Sequence, residues 1–379
     1  MKLVDLYTRL SPLLRPLGLP YSLLMRQRRA LYGQGLLGRY VPSCPVVSVG
    51  NIAWGGTGKT PLTAWLLQWA EDNGLKAVVL TRGYKGKPGK RPLLLRRDTP
   101  VEQSGDEPLL LARAFPKAAV VVFPKRDQAA RFAESCLAPD FFILDDGMQH
   151  LAVQRSLDIV LLRPEDLLEE WDRVIPSGSW REGSSALSSA SVFGIKAGPE
   201  EFERLIPEAT RRLAHLGKPL FSFTLAPAGL RPVFPRRGEN NPLLSPGEYR
   251  DRPYLLVSGV GNPEQVAATA KEIVGREPLY RFDFDDHHPF TEADVQALTK
   301  MGAAHLPVVC TAKDAVKLKS FSEIWGKAPL WALETRMEFG PCLAWDSRQP
   351  AFSFPSWWEG WWQNLTNSGI AHTSDSGKS

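Results

Sequence analysis

The sequence predicts an α/β protein in which a mostly parallel sheet carries helices on both faces, followed by a smaller second α/β domain. Between residues 46 and about 200, short and almost continuously apolar runs alternate with helix-like stretches. Runs of this kind are typical of parallel strands that are buried on both faces. A glycine-rich loop joins the first run to a helix, and a second alternation of strand and helix begins at residue 254.

The glycine-rich loop lies within residues 46–61, which read VVSVGNIAWGGTGKTP. Glycines let backbone N–H groups point at bound phosphates, so this order of strand, loop and helix favours a nucleoside triphosphate site of the P-loop type. Lys59 would add a cation at the β- and γ-phosphates, and the Thr60 hydroxyl could hold Mg²⁺. Ala53 stands where the strict pattern has glycine, and the glycines that follow are expected to compensate. The alternative is a tight turn without a ligand.

A helix is predicted directly after the loop, since Pro61 suits its first turn and Asn73-Gly74 its end. Its apolar stripe consists of Leu62, Trp65, Leu66 and Trp69. The predicted strands are Val46–Val49, Ala77–Leu80, Val120–Phe123, Phe141–Leu144, Ile159–Leu162, Val192–Ile195, Tyr254–Ser258 and Val308–Thr311.

Composition limits the class of protein. The 379 residues suffice for two domains, and 43% hydrophobic with 23% charged residues indicates a globular chain. The net charge of +5 is compatible with an anionic substrate, an anionic membrane surface or nucleic acid. The four cysteines have no paired spacing, which predicts reduced thiols in a cytosolic protein. No apolar run approaches the ~20 residues of a membrane span, and charges and prolines interrupt the N-terminus, so no signal peptide is predicted.

The chain is predicted to divide into a basic amphipathic helical segment (1–40), a P-loop domain (41–225), a linker (226–253), a smaller α/β domain (254–350) and a tail (351–379). In the first segment, leucines recur at helical spacing, arginines outnumber a single acid, and three prolines are expected to break the run into short helices. Such a segment can lie on an anionic membrane surface. Alternatively, its leucines pack on the core and its arginines face solvent.

The tail is rich in tryptophan and then polar. Trp357-Trp358 and Trp361-Trp362 could sit at a membrane interface, and packing against their own domain is the interpretation that we favour. The last ten residues are expected to be disordered.

Two adjacent acids, Asp145 and Asp146, follow the apolar run 141–144. Acids at the end of a strand beside the phosphate-binding loop could hold Mg²⁺, and adjacent carboxylates repel each other unless a cation lies between them. The alternative is a turn of the Asp-Gly type. Gln149 and His150 follow closely enough to reach a substrate at the same sheet edge.

Two further acidic motifs are candidates for catalysis. Asp106 in the sequence GDEP precedes a helix and could be a helix cap or the group that deprotonates an attacking hydroxyl. His287, in the sequence DDHH, could pair with a carboxylate. The chain offers no further ligands at suitable spacing for zinc. Arginines within TRGY, KRD and SWRE follow or lie between strands and could grip phosphate.

With these motifs in order, the chain resembles the tetraacyldisaccharide 4′-kinase family, the lipid A 4′-kinases of Gram-negative bacteria. The resemblance covers roughly residues 1–330 and includes VGN…GGTGKTP, RGY, GDEP, DDG-x-QH, P-x-G-x-x-RE, DHH and TAKD. Trp54, Gly183 and Ala312 depart from the usual family residues. The resemblance implies a kinase that transfers the γ-phosphate of ATP to the 4′-hydroxyl of a tetraacylated glucosamine disaccharide 1-phosphate, giving lipid IVA in lipid A biosynthesis.

The resemblance also implies roles for individual residues. Asp106 would be the base on the 4′-hydroxyl and His287 its partner from the other domain, with Lys59 on the transferred phosphate. The implied ATP-binding residues are Gly55, Gly56, Thr57, Gly58, Lys59 and Thr60, and the implied Mg²⁺ ligands are Thr60, Asp145 and Asp146. The implied substrate-binding residues are Arg82, Tyr84, Arg126, Gln149, His150, Arg181 and Glu182.

A monomer is expected, with no nucleic-acid partner. It would be peripheral to the cytoplasmic face of the inner membrane and would dock through the N-terminal segment. A competing hypothesis is a P-loop switch or assembly NTPase, because Thr311-Ala312-Lys313-Asp314 superficially fits a guanine-specificity element. We favour the kinase because GDEP, DDG-x-QH and DHH occur together and in order.

Overall fold

The computed structural model describes residues 3–234, 243–302, 306–325, 328–345 and 353–368, with side chains from Leu14 onward. The strands are β1 (Val46–Asn51), β2 (Ala77–Thr81), β3 (Leu93–Leu94), β4 (Ala119–Val122), β5 (Phe141–Asp145), β6 (Leu157–Leu162), β7 (Val192–Lys196), β8 (Leu220–Pro232), β9 (Leu255–Ser258), β10 (Tyr280–Asp283), β11 (Val308–Thr311) and β12 (Leu330–Leu343). Every strand predicted from the sequence is present.

Helices cover both faces of the sheet. They are α1 (Leu3–Gly33), α2 (Lys59–Asp72), α3 (Val101–Ser104), α4 (Asp106–Ala114), α5 (Arg126–Leu137), α6 (Pro164–Leu167), α7 (Pro199–Leu213), α8 (Pro263–Val274), α9 (Glu292–Gly302), α10 (Ala312–Leu318), α11 (Ser322–Trp325) and α12 (Phe354–Asn367). Among the described residues, no helix is both long enough and apolar enough to span a bilayer.

The described strands form one 12-stranded sheet in the order β10-β9-β11-β12-β8-β7-β6-β1-β5-β2-β4-β3. Strand β1 lies between β5 and β6, and the pairs around it are parallel. The carboxyl ends of β1, β5 and β2 therefore meet at one edge, where ligands bind in open α/β sheets. The predicted α/β class with a mostly parallel sheet is confirmed.

The sheet has two lobes, one around β1–β7 with α2, α7 and α12 and the other around β9–β11, which are joined by a long antiparallel ribbon. Strand β8 pairs with β12 from Leu220 to Pro232, with two register shifts along the way. Residues 226–232, which we placed at the start of a linker, therefore belong to β8. Their proline, glycine and arginine content resembles that of a loop, but a partner strand about 100 residues later in the chain supplies the pairing.

Helix α1 is one continuous helix over 31 residues, so the prediction of several short helices was wrong. Its prolines at 12, 16 and 20 recur every four residues, which places the lost hydrogen bonds on one side of the helix.

The two faces of α1 differ in a way that the sequence did not predict. The face toward the protein includes Gly18, Tyr21, Ser22, Met25, Arg28 and Arg29. Leu19 is 74% exposed on the opposite face, and Leu23, Leu24 and Leu31 are exposed as well. From Leu17 onward the leucines of α1 are exposed, so the interpretation with buried leucines is wrong for this part of the helix. Its solvated arginines are present only in part, since Arg15 and Arg26 are exposed whereas Arg28 and Arg29 face the protein.

The aromatic residues of the tail pack against the protein, which confirms the interpretation that we favoured. Phe354 and Trp358 on α12 are fully buried in the core that contains α2 and the centre of the sheet. The Trp69 ring on α2 contacts those of Trp358 and Trp362 at 5.1 and 5.2 Å between centroids. The last ten residues, expected to be disordered, lie outside the described residues.

Candidate active site

The glycine-rich loop leaves the end of β1 and leads into α2. Gly55 and Gly58 have φ values of 112° and 91°, a region that residues with a side chain rarely adopt. Gly58 also lies against Phe223, since a Cβ on it would come within 2.7 Å of the ring. Lys59 Nζ donates to Asn51 Oδ1 at 3.0 Å and lies 3.5 Å from the Asp146 carboxylate. The loop therefore presents its cation at the strand edge.

Ala53 is compatible with this loop because its backbone does not need the conformational freedom of glycine. It is buried and forms an antiparallel bridge with Trp180, and its φ is not positive. The neighbouring Trp54 N–H donates to the Ser179 carbonyl at 3.0 Å. The bend that requires glycine begins two residues later, at Gly55.

Carboxylates gather beside the loop. Asp145 ends β5 and accepts a hydrogen bond of 3.0 Å from the Thr81 hydroxyl. Asp146 has a φ of 53°, which turns its side chain toward Lys59. The Thr60 hydroxyl donates to Glu107 Oε2 at 3.3 Å. Thr60 thus lies beside a third carboxylate.

The charges of these acids fit a divalent cation. Burial and the nearby negative charge of Glu107 raise the pKa of Asp145 to about 6. Burial alone would raise the pKa of Asp146 too, but Lys59 and Arg181 lower it. Carboxylate and hydroxyl oxygens are hard donors of the kind that Mg²⁺ prefers. Among the described residues, no group of three or more His, Cys, Asp or Glu side chains could hold a metal ion without other ligands.

Asp106 and His287 meet across the two lobes. Asp106 is the first residue of α4 and is buried, and its Oδ2 lies 2.9 Å from His287 Nδ1. The Tyr84 ring packs edge-on against the His287 ring, with the centroids 5.5 Å apart. The predicted pairing of this histidine with a carboxylate is present in the structure.

The contact with Lys313 determines which ring nitrogen of His287 carries the proton. Its ammonium lies 3.0 Å from His287 Nε2 and 3.3 Å from Asp286. Because an ammonium can only donate, Nε2 accepts, and Nδ1 carries the proton that is donated to Asp106. Burial alone would raise the pKa of Asp106, but the hydrogen bond from His287 and the charge of Lys313 lower it. Asp106 is therefore ionised at neutral pH, as a proton acceptor must be.

Asp314, beside Lys313, has a structural environment instead. It is fully buried, accepts hydrogen bonds from the Gly259 N–H and the Thr311 hydroxyl, and pairs with Lys317 at 2.8 Å. A fully buried carboxylate that is paired with a lysine is not exposed to a guanine base. The TAKD sequence therefore caps α10 and orients Lys313, which weakens the case for a GTP switch.

Polar side chains continue the edge beyond Asp146. Arg181 Nη1 donates to Asp146 Oδ2 at 2.9 Å and to Gln149 Oε1 at 3.2 Å. Arg126 is 2% exposed, and its Nε and Nη2 have no hydrogen-bond partner among the described residues. Burial and the charge of Arg126 lower the pKa of His150 to about 3. These groups form a basic wall with unused donors, which suits an anion.

Three predicted substrate residues have other surroundings. Arg82 and Tyr84 lie after β2 and are exposed, with Tyr84 beside His287. Glu182 is 2% exposed and pairs with Arg29 of α1, with Arg29 Nε and Nη2 within 3.0 Å of its oxygens. Because the Glu182 carboxylate is paired with Arg29, its role in the structure is to hold α1 beside the site.

Glu107, Lys313, Asn51 and Arg29 were not assigned a site role from the sequence. Glu107 belongs to the GDEP motif, but its place beside Thr60 depends on the fold. Lys313 belongs to the TAKD motif, but its contact with His287 depends on the fold as well. Arg29 and Glu182 are 153 residues apart in the chain, so no local sequence pattern predicts that they pair.

Replacing His150 with glutamine should change how stability depends on pH. Because the pKa of His150 lies near 3 in the folded protein and near 6.5 in the unfolded chain, only the unfolded chain binds this proton between those values. Wild type should therefore lose stability relative to His150→Gln as pH falls from 7 to 5, by up to ~1.4 kcal/mol per pH unit. Urea unfolding at several pH values measures this. Parallel stability curves for both proteins would contradict it.

The P-loop at the end of β1, the acids beside it and the dyad between the lobes define an α/β phosphotransferase. A sequence profile of the family described as "LpxK: Tetraacyldisaccharide-1-P 4'-kinase" matches residues 10–346. The chain belongs to this family, which confirms the resemblance drawn from the motifs.

Relatives agree with this placement. The tetraacyldisaccharide 4′-kinase of Nitratidesulfovibrio vulgaris is 48% identical over 96% of this chain and 98% of its own length. That of Pseudomonas entomophila is 34% identical over 82% of this chain and 84% of its own length. A crystal structure titled the "apo" form of LpxK from Aquifex aeolicus in complex with ATP matches with a TM-score of 0.68 at 26% identity, covering 87% of this chain and 95% of that one.

Proposed function

We propose that this protein transfers the γ-phosphate of ATP to the 4′-hydroxyl of a tetraacylated glucosamine disaccharide 1-phosphate, producing lipid IVA in lipid A biosynthesis. The observation that carries this proposal is the Asp106–His287 pair at 2.9 Å, next to Glu107, which contacts Thr60 of the phosphate loop. A hydrolytic switch needs to position only water, whereas an ionised base beside a phosphate loop suits a hydroxyl acceptor.

Asp106 is the base in this account. The 4′-hydroxyl proton passes to the Asp106 carboxylate as the oxygen forms its bond to the γ-phosphorus, and the bond from phosphorus to the β–γ bridging oxygen breaks to release ADP. His287 holds the carboxylate in place through Nδ1–H, and Lys313 holds the imidazole.

The phosphates of ATP would be bound by Lys59 and by the backbone of residues 55–60. Mg²⁺, when bound, neutralises phosphate charge and orients the phosphates. Thr60, Asp145 and Asp146 would hold it, and Glu107 lies close enough to Thr60 to contribute. Their hard oxygen donors and the raised pKa of Asp145 fit such an ion.

The sugar and its 1-phosphate would contact the basic wall and its neighbours. The unused Nε and Nη2 donors of Arg126 and the nearby guanidinium of Arg181 suit an anionic sugar phosphate. We assign substrate contact to Arg82, Tyr84, Arg126, Gln149, His150 and Arg181, and we assign Glu182 to holding α1 through Arg29.

The N-terminal helix provides a docking face for the membrane that contains the acylated substrate. Its exposed leucines face away from the protein, while Arg28 and Arg29 attach the opposite face to Gln149 and Glu182. This arrangement supports a peripheral membrane protein, which we place at the cytoplasmic face of the inner membrane. Both members of the dyad belong to one chain, which supports a monomer as the active form.

Changing Leu19 and Leu23 to serine should weaken binding to anionic lipid vesicles at least tenfold, because burial of one leucine contributes about 1.5–3 kcal/mol. Cosedimentation with the vesicles measures the loss. The matched control is Leu279→Ser, which removes an exposed leucine from the other lobe. Equal binding by both variants and wild type would contradict docking through α1.

The kinase function is tested by following ATP consumption with and without the acylated disaccharide acceptor. The kinase predicts that ADP forms in step with phosphorylated lipid, and that ATP is preferred to GTP. Steady hydrolysis that ignores the lipid, or strong selectivity for GTP, would favour the NTPase switch instead.

A further inference from the structure

Helix α12 lies beyond residues 10–346, the part of the chain that matches the family profile. It nevertheless packs on two elements that build the nucleotide site. One is α2, which begins at Lys59, and the other is the ribbon of β8 and β12. The phosphate loop ends at α2 and contacts the ribbon where Gly58 meets Phe223. A helix that packs on both elements can therefore influence this loop.

A continuous series of rings joins α12 to the phosphate loop. The Phe354 ring lies 4.1 Å from that of Phe221 on β8, centroid to centroid. Phe221 lies 6.1 Å from Phe223, two residues along the same strand. Phe223 in turn fills the space beside Gly58, where even a Cβ would collide with the ring. All three phenylalanines are fully buried, so a shift of one is passed on rather than absorbed.

A second contact braces the helix that follows the loop. Phe354 lies 5.5 Å from Trp65 on α2, and Trp358 lies 5.1 Å from Trp69, again between centroids. The indole N–H of Trp358 is buried and has no hydrogen-bond partner among the residues that the structure describes. The ring is therefore held there by packing alone.

We propose that α12 is a positioning element of the ATP site, and that Phe354 holds Gly58 in its left-handed conformation through Phe221 and Phe223. The left-handed φ of Gly58 sets the direction of the backbone at the start of α2, where N–H groups meet phosphate. Loss of the Phe354 ring lets Phe223 retreat and leaves Gly58 with more conformations to lose when ATP binds. The proposal rests on the proposed function only in that the loop binds ATP.

The test compares Phe354→Leu with Phe202→Leu. Phe202 is equally buried in the same lobe but belongs to a different core cluster, on α7. Both changes keep an apolar side chain, so both proteins should fold with similar losses of Tm. Calorimetry of MgATP binding gives the decisive quantity, and it does not depend on the identity of the acceptor.

Phe354→Leu should weaken MgATP binding about three- to tenfold, while Phe202→Leu leaves the Kd unchanged. Trp358→Phe, which keeps a ring and removes the unpartnered N–H, should retain both Tm and affinity. An unchanged Kd in Phe354→Leu, or equal weakening in both leucine variants, would overturn the proposal. If wild type binds MgATP but phosphorylates no lipid, the proposed function fails while this comparison still stands.

Discussion

Replacing Asp106 with asparagine is expected to lower kcat for phosphate transfer by about 10²- to 10⁴-fold, the range typical of a lost general base. Asparagine keeps the shape of the side chain and can still meet His287, but it cannot take a proton. Binding of MgATP should remain within about twofold of wild type, because the base acts on the acceptor. Single-turnover transfer from labelled ATP measures the loss.

The competing interpretation treats Asp106 as the first acid of α4, where it favours the helix electrostatically. Asp127→Asn is the matched control, since Asp127 also lies in the first turn of a helix, α5. A helix-terminal role predicts that both variants lose a little Tm and keep kcat. If Asp106→Asn behaves in that way, the assignment of the base is wrong.

Replacing Lys59 with methionine should lower kcat by about 10²- to 10³-fold, because a preorganised charge at the transferred phosphate contributes about that much. Its ammonium is held by Asn51 at 3.0 Å and by Asp146 at 3.5 Å. Removing it also takes away one of the charges that lower the pKa of Asp146. MgATP should bind more weakly too, since the lysine contacts phosphate before and during transfer.

Lys76→Met is the control for this change, because Lys76 is exposed just before β2, at the opposite end of that strand from Thr81. It should retain full activity. Activity of Lys59→Met within threefold of wild type would mean that the loop holds the nucleotide through its backbone alone.

Much of the fold follows from local sequence. Strands such as β1 and β5 are mostly apolar and buried on both faces, so they can be predicted without knowledge of their neighbours. The β8–β12 ribbon was missed in part because its pairing is not local. The exposure of the leucines on α1 could not be predicted either. A leucine repeat shows that a helix has an apolar stripe, but it does not show whether the protein covers that stripe.

The residues of the candidate site likewise fall into those with a local sequence signal and those that depend on distant partners. Asp145 at the end of a strand and Lys59 and Asp106 at the start of a helix could be found because each carries its own local signal. Lys313 contacts His287, and Arg29 contacts Glu182. Because each partner lies on a distant element of the chain, these roles could be recognised only from the folded structure.

The most direct test of the central claim is to determine where the phosphate goes. Tetraacylated glucosamine disaccharide 1-phosphate is incubated in detergent micelles with γ-labelled ATP, and tandem mass spectrometry locates the new phosphate on the lipid. The account predicts one added phosphate, on the 4′ oxygen, and its disappearance with Asp106→Asn. Labelled inorganic phosphate without labelled lipid, or a phosphate at another position, would contradict it.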